Sequence, residues 1–268
     1  MASQSKASLV QTSLAQAFLD TAILAADKAR TITRHWFRAD LEIVSKSDQS
    51  PVTIADEQTE IALKSIILER HPDHSFLGEE TGSELGDSEW QWIIDPIDGT
   101  KSFATGNPTF GTLVALLQDG TPVLGIIDHS ILDERWVGRT GQPTTHNGVV
   151  CTTRSTGGLA EASIYATTLD MFDDAAFEKY NRLSKQCQFR IFGGDCYAYG
   201  LLARGLTDLV CEADLKPYDY LALSTVVTGA GGVITDWQGQ PLTLNSGDQV
   251  LASANPSLHQ AALDMLNQ

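Results

Sequence analysis

A mixed α and β chain, an α/β fold, is predicted by three features of this sequence. The first is an alanine-rich segment over residues 9–37 in which Leu14, Phe18, Ala22, Ala25, Ala26, Ala29 and Ile32 recur at helical spacing. The second is a pair of β-rich runs, 110–118 and 122–128, joined by Asp119-Gly120, a hairpin signal. The third is a short apolar run of strand type, Trp90, Trp92, Ile93 and Ile94, where Pro96 stops regular ladder pairing straight after Asp95.

Taken in order, the first helix is broken by the polar stretch SKSDQSPVT, with Ser50-Pro51 as a turn signal. A second helix is expected from Thr53 or Ile54 to about His71, which gathers Lys46, Thr53 and Asp56 around its entrance. Thr53 with Asp56 and Glu57 reads equally well as capping and dipole complementarity. The loop HPDH places His71 and His74 at the surface. SFLGEETG then reads as a strand running into Glu79, Glu80 and a glycine.

After the central run, Asp95 and Asp98 are expected at a strand end. Ile97 between them offers only its carbonyl or a packed side chain. Gly99 lets the backbone approach a ligand closely, and Thr100 adds a hydroxyl at a helix start whose N–H groups favour anions. Carboxylates beside an anion hole suggest a metal-bridged phosphate. A further strand at 135–138 and the polar GQPTTHNGVV lead into a second half. That half has a strand at 162–166, a helix at 174–187, a strand at 189–192, a glycine turn at Gly193 and Gly194 into a helix, a strand at 208–212, and a helix opening near Pro217 and Asp219. Asp195, just after the glycines, reads as a helix cap or a ligand. With no low-complexity linker or repeat, residues 1–268 are expected to form a single unit of two packed lobes, 1–145 and 146–268.

Composition narrows the function. A net charge of −16 argues against nucleic-acid binding and suits divalent metals or cationic ligands. The four cysteines form no C-x-x-C pair and the histidines no H-E-x-x-H, so neither a zinc site nor a disulfide framework is expected. No run reaches membrane-spanning length and the N-terminus lacks a secretory pattern, which points to the cytoplasm and away from a membrane.

The hexapeptide DPIDGT, residues 95–100, resembles the signature of the inositol monophosphatase-like, metal-dependent phosphatases. The resemblance implies a layered αβαβα sandwich of the inositol monophosphatase/fructose-1,6-bisphosphatase type, a homodimer, and two or three Mg2+ ions per site. It implies that Asp95, the Ile97 carbonyl and Asp98 hold metal. GEE is similar to the family segment whose first glutamate, here Glu79, ligates metal and positions the attacking water, with Glu80 as a partner. PVTIADEQTE resembles the segment in which Asp56, supported by Thr53, helps orient that water together with Thr100, and Lys46 is the candidate for a lysine facing the metal. KPYDYLAL followed by GAGG resembles the W-D…A-G-G element, making Asp219 the last ligand, although Tyr218 replaces the usual Trp.

Phosphate is expected on the backbone of Asp98, Gly99 and Thr100, and the leaving group on Gly193, Gly194, Asp195, Asp219 and Glu212, seven residues before Asp219. GGDCYAYGLLARG, KPYDYLAL and DGTKSFATGNPTFGTL look closer to the histidinol-phosphate phosphatase branch than to inositol phosphatases. Asp195 stands where the latter have a small residue, and a further carboxylate favours a cationic leaving group. The resemblance therefore implies hydrolysis of L-histidinol phosphate in histidine biosynthesis. Inositol-1-phosphate hydrolysis is the second reading, and a catalytically silent metal or phosphate binder the third. The retained Glu79 and Thr100 argue against the last.

Overall fold

The computed structural model describes residues 2–39, 43–45 and 51–268, and within these the side chains of 14–39 and 53–268. Lys46 lies outside the described residues. The chain opens with α1, Ala2–Trp36, then a ribbon of β1, Ile43–Ser45, and β2, Pro51–Thr53, and enters α2, Ile54–Arg70. Next come β3, Ser75–Gly78, β4, Gly82–Glu84, β5, Trp90–Asp98, and the short α3, Thr100–Ala104. A meander of β6, Gly111–Gln118, β7, Thr121–His129, β8, Glu134–Arg139, β9, Gln142–His146, and β10, Val149–Val150, completes an eight-stranded sheet ordered β10-β9-β8-β7-β6-β5-β3-β4. The β6–β7 turn holds Asp119 and Gly120 at φ 48° and 75°, the two left-handed residues a tight hairpin needs.

The second half supplies β11, Ser163–Ala166, α4, Asp174–Ser184, β12, Phe189–Phe192, α5, Tyr197–Ala203, and β13, Leu209–Glu212. It ends with α6, Pro217–Gly229, β14, Val233–Thr235, β15, Val250–Ser253, and α7, Pro256–Leu266. Its strands form a five-stranded sheet ordered β12-β11-β13-β15-β14.

These elements stack as a layered αβαβα sandwich. Phe18, Ala22, Ala25, Ala26 and Ala29 of α1, with Leu63 and Ile67 of α2, pack on Trp92, Ile94, Val114 and Ile126 of the first sheet. The opposite face of that sheet, Ile93, Leu113 and Ile127, meets Tyr199 and Leu202 of α5 and Leu223 and Val227 of α6. Val210 of β13 and Ala252 of β15 join that same cluster from the second sheet. On its far side, Leu209 and Leu251 pack against Tyr180 of α4 and Leu258 of α7. At β5 and β6 both faces of the first sheet are covered, which is why these strands are buried along most of their length with little alternation. Truncating fully buried Trp92 to alanine costs roughly 3–5 kcal/mol.

Regular β5–β6 pairing stops after Asp95, as expected of Pro96, whose missing N–H falls at the irregularity between Asp95 and Asp98, although the strand itself runs on to Asp98. One expectation needs correction. His74 is not at the surface. It is buried against Phe18, with its Nδ1 accepting Trp92 Nε1 at 3.0 Å, and His71 stacks on it at 4.6 Å. Packing of α1 over the strand carrying Trp90 and Trp92 encloses that loop. The glycine pair leads into α5 as expected, through a turn at Asp195 and Cys196. Among the described residues no helix is long and apolar enough to cross a membrane.

Candidate active site

Residues three apart on a regular strand face opposite sides of a sheet. Here Asp95 pairs with Leu113 but Asp98 with Gly111, so β5 carries one extra residue and both acids converge. Ile97 N donates to Asp95 Oδ1 at 3.0 Å and stiffens the bulge, while Thr112 Oγ1 donates to Pro96 O at 2.8 Å. Asp98 Oδ2 accepts Cys196 N at 2.7 Å, tying β5 to the second half. Asp219 enters from the third position of α6, its Oδ2 accepting Lys216 N at 2.6 Å. Carboxylate oxygens of Asp95, Asp98 and Asp219 lie within 4.8 Å of one another.

Burial, then Glu79, Asp98 and Asp219, push the Asp95 carboxyl well above its usual range. Burial, then Asp195 and Asp219, do the same to Asp98, and burial lifts Asp219 to about 7 with Glu79 adding to the rise. Acids that resist ionising side by side fit a cation between them. The donors are all oxygens, which suits a hard divalent ion rather than a nitrogen- and sulfur-preferring one.

Thr53 and Asp56 form a complete capping box on α2. Thr53 Oγ1 accepts Ala55 N at 3.1 Å, and Asp56 Oδ2 accepts Thr53 N at 2.9 Å and Thr53 Oγ1 at 2.6 Å. Asp56 has a second contact that capping does not require. Thr100 Oγ1 lies 3.4 Å from Asp56 Oδ1 and 3.2 Å from Ile97 O, and can donate to either. Burial lifts Asp56 to about 6 against the hydrogen bonds from Thr53, and Glu79 adds to the rise.

Beside these acids is a cavity of about 420 Å³ lined by Glu79, Gly99, Thr100, Asp195, Glu212 and Asp219, among others. Gly99 adopts φ 82°, and a Cβ on it would stand 2.7 Å from the Asp195 carboxyl carbon. Only glycine serves there. Asp195 Oδ2 accepts Ser102 Oγ at 2.5 Å and Thr109 Oγ1 at 3.0 Å. Its side chain does not cap α5, whose N-cap is Cys196. Glu212 accepts Thr167 N at 2.7 Å and Tyr199 Oη at 2.9 Å, and burial raises it to about 7.

Comparison with known proteins gives the same picture. The model of the inositol monophosphatase family matches residues 14–268. The chain belongs to the inositol monophosphatase family. It is 45% identical to the "Bifunctional phosphatase IMPL2, chloroplastic" of Arabidopsis thaliana, over 90% of this chain and 72% of that one. It is 34% identical to a histidinol-phosphatase of Mycobacterium tuberculosis, over 92% and 96% of the two chains. A solved inositol monophosphatase from Zymomonas mobilis superposes with a TM-score of 0.85 at 42% identity, covering 93% of this chain and 97% of that chain. Members of the inositol monophosphatase family are phosphatases that use divalent metal ions, and the acid cluster lies within the matched region.

Of the residues singled out from sequence, Glu79, Asp98, Gly99, Thr100, Gly193, Asp195, Glu212 and Asp219 line one cavity. Asp95 clusters with Asp98 and Asp219 of that wall, and Asp56 reaches it through Thr100. Gly194 packs instead against Tyr165 and Ala198, where a Cβ would stand 2.9 Å from each. Sequence reading missed Ser102, Thr109, Thr167 and Tyr199, which hold Asp195 and Glu212. Hydroxyls and amides carry no pattern along the chain, although Ser102 and Thr109 do lie in the segment carrying the family likeness.

Proposed function

We propose that this chain is a Mg2+-dependent phosphomonoesterase that hydrolyses L-histidinol phosphate to L-histidinol and phosphate, serving histidine biosynthesis. The observation carrying this reading is the convergence of Asp95, Asp98 and Asp219 beside a cavity whose wall adds two further acids, Asp195 and Glu212. Negative charge on the leaving-group side suits an ammonium and a protonatable imidazole by charge-assisted hydrogen bonding. Relatives named histidinol-phosphatase support the same substrate.

Glu79, Asp95, Asp98, Asp219 and the Ile97 carbonyl would hold two or three Mg2+ ions, which when bound supply Lewis acidity and charge neutralisation. The protein's own groups do the rest. A Thr100 hydroxyl donating to Asp56 Oδ1 keeps a lone pair for the attacking water, and Glu79 accepts that water's other hydrogen bond. Backbone amides around Asp98, Gly99 and Thr100 receive the phosphate oxygens. Thr167 N and Tyr199 Oη hold Glu212, and Ser102 and Thr109 hold Asp195, so both acids meet the leaving group pre-oriented.

Phosphate release with Mg2+ tests the reading, comparing kcat/KM for L-histidinol phosphate and inositol-1-phosphate on one preparation. A preference of about a hundredfold, roughly 2.7 kcal/mol, is expected. Equal or reversed values would support the second reading, inositol-1-phosphate hydrolysis, which draws on the 42% identity to the Zymomonas mobilis inositol monophosphatase. For the assembly we propose a homodimer using the outer edge strand β12, which exposes Phe189 and Phe192; light scattering that returns one chain's mass would refute it. Free thiols at all four cysteines suit a reducing compartment such as the cytoplasm.

A further inference from the structure

Glu60 lies one helical turn beyond Asp56, so the two carboxylates share a face of α2. It is fully buried, yet no part of the chemistry above uses it. Its carboxylate accepts two backbone amides from the turn after β3, Glu80 N on Oε2 at 2.8 Å and Thr81 N on Oε1 at 2.6 Å. The preceding amide, Glu79 N, donates to Ile94 O of β5 at 3.3 Å. Three successive amides, 79–81, are thus held, one by the strand that carries Asp95 and two by Glu60. Gly78 makes room for this arrangement, because a Cβ there would stand 2.3 Å from the Glu60 carboxyl carbon. The carboxylate fills the space a side chain at 78 would take.

We propose that Glu60 is a positioning residue that aims Glu79 at the acid cluster by clamping the turn on which Glu79 sits. This rests on the reading of Glu79 as a cation ligand. A buried carboxylate accepting two amides is a short, charge-assisted fork. Glutamine cannot replace it, since its NH2 would oppose one of the two N–H groups and leave a buried donor unpaired. Groups that orient metal ligands typically change metal affinity by about 10–100-fold when altered.

The test is Mn2+ binding to the full chain, followed by the EPR signal of free Mn2+, together with Mg2+-dependent kcat and KM on a phosphomonoester. For Glu60→Gln, Mn2+ affinity is expected to fall about 10-fold and kcat about 10-fold, with KM for the ester within about twofold. Gly78→Ala presses on the same carboxylate from the other side and should weaken Mn2+ in the same direction, which keeps the proposal testable if Glu60→Gln does not fold. Leu63→Ala, in the core of α2, lowers stability and should leave Mn2+ affinity unchanged. Unchanged Mn2+ affinity in Glu60→Gln, or an equal loss in Leu63→Ala, would overturn the positioning role. Glu79→Gln separates the two readings. If it binds Mn2+ like the parent, the ligand reading of Glu79 fails and the proposal with it; if it alone loses Mn2+, only the role of Glu60 falls.

Discussion

Asp208 and Asp95 are both buried acids, and their surroundings are opposite in sign. Asp208 receives Arg154 through Nε at 2.6 Å and through Nη2, Ser163 N at 2.7 Å, Ser163 Oγ at 2.9 Å, and Thr156 Oγ1. Burial works against its ionised form, but those donors outweigh it and hold the carboxyl at about 2. Around Asp95, burial, Glu79, Asp98 and Asp219 all push upward. A charge the fold has already satisfied is a structural staple. Charges gathered with too few donors to offset them suit a cation, the role proposed for this cluster.

The largest effect should come from Asp95→Ala, which removes one of the clustered charges. Turnover with Mg2+ is expected to drop about 10⁴-fold, near 5.4 kcal/mol, while thermal unfolding of the metal-free protein stays level or rises. A metal-free protein that unfolds more easily after this change would erase the contrast with Asp208. Asp208→Asn leaves the part-exposed Arg154 facing a neutral partner and sets an amide NH2 against the buried donors that held the carboxylate, and stability should fall by about 1–3 kcal/mol in denaturant titration, with Mn2+ affinity unaltered in the folded fraction.

The contrast also has a pH signature. Asp56, held at about 6, and Asp219 and Glu212, held at about 7, bind protons more tightly folded than unfolded. Their contribution to the metal-free protein is therefore lost as pH rises from about 4 to 7.5, while His74, His129 and His259, held at about 4 by burial, act in the opposite sense, and the stabilisation by added Mg2+ should grow toward the upper end as the acids ionise. Asp208 acts in the reverse sense. Its contribution is present above about pH 4 and lost as pH falls toward 2. Melting curves across this range, with chelator and with Mg2+, check both signs; a stabilisation by Mg2+ that does not grow as pH rises to 7.5 would contradict the first. The smallest effect is expected at the cavity wall. Asp195→Asn should raise KM for L-histidinol phosphate about tenfold, near 1.4 kcal/mol, and leave that for an uncharged ester within twofold. Equal shifts for both esters would remove Asp195 as the selector.

Asp95, Ile97, Asp98, Gly99 and Thr100 were legible because they are contiguous, and a bulge with a left-handed glycine is local chemistry. Asp219 and Glu212 were legible through spacing and family likeness. Ser102, Thr109, Thr167 and Tyr199 were not, since each matters only through a partner distant in the chain, such as Asp195 for Thr109. His74 was misread for a related reason. A polar loop sequence does not show that Phe18 of α1 will cover it.

Local sequence by itself determined the long alanine-rich helix, the Asp119-Gly120 hairpin, the capping box at Thr53 and the acid-rich turn of β5. These follow from backbone preference and hydrogen bonds spanning a few residues. Tertiary structure alone decided that Asp98 bonds to Cys196, that Asp219 closes the acid cluster from α6, and that Glu60 grips the turn bearing Glu79. Those outcomes depend on two sheets packing on one shared helical layer, where apolar burial brings carboxylates closer than their charge alone would allow.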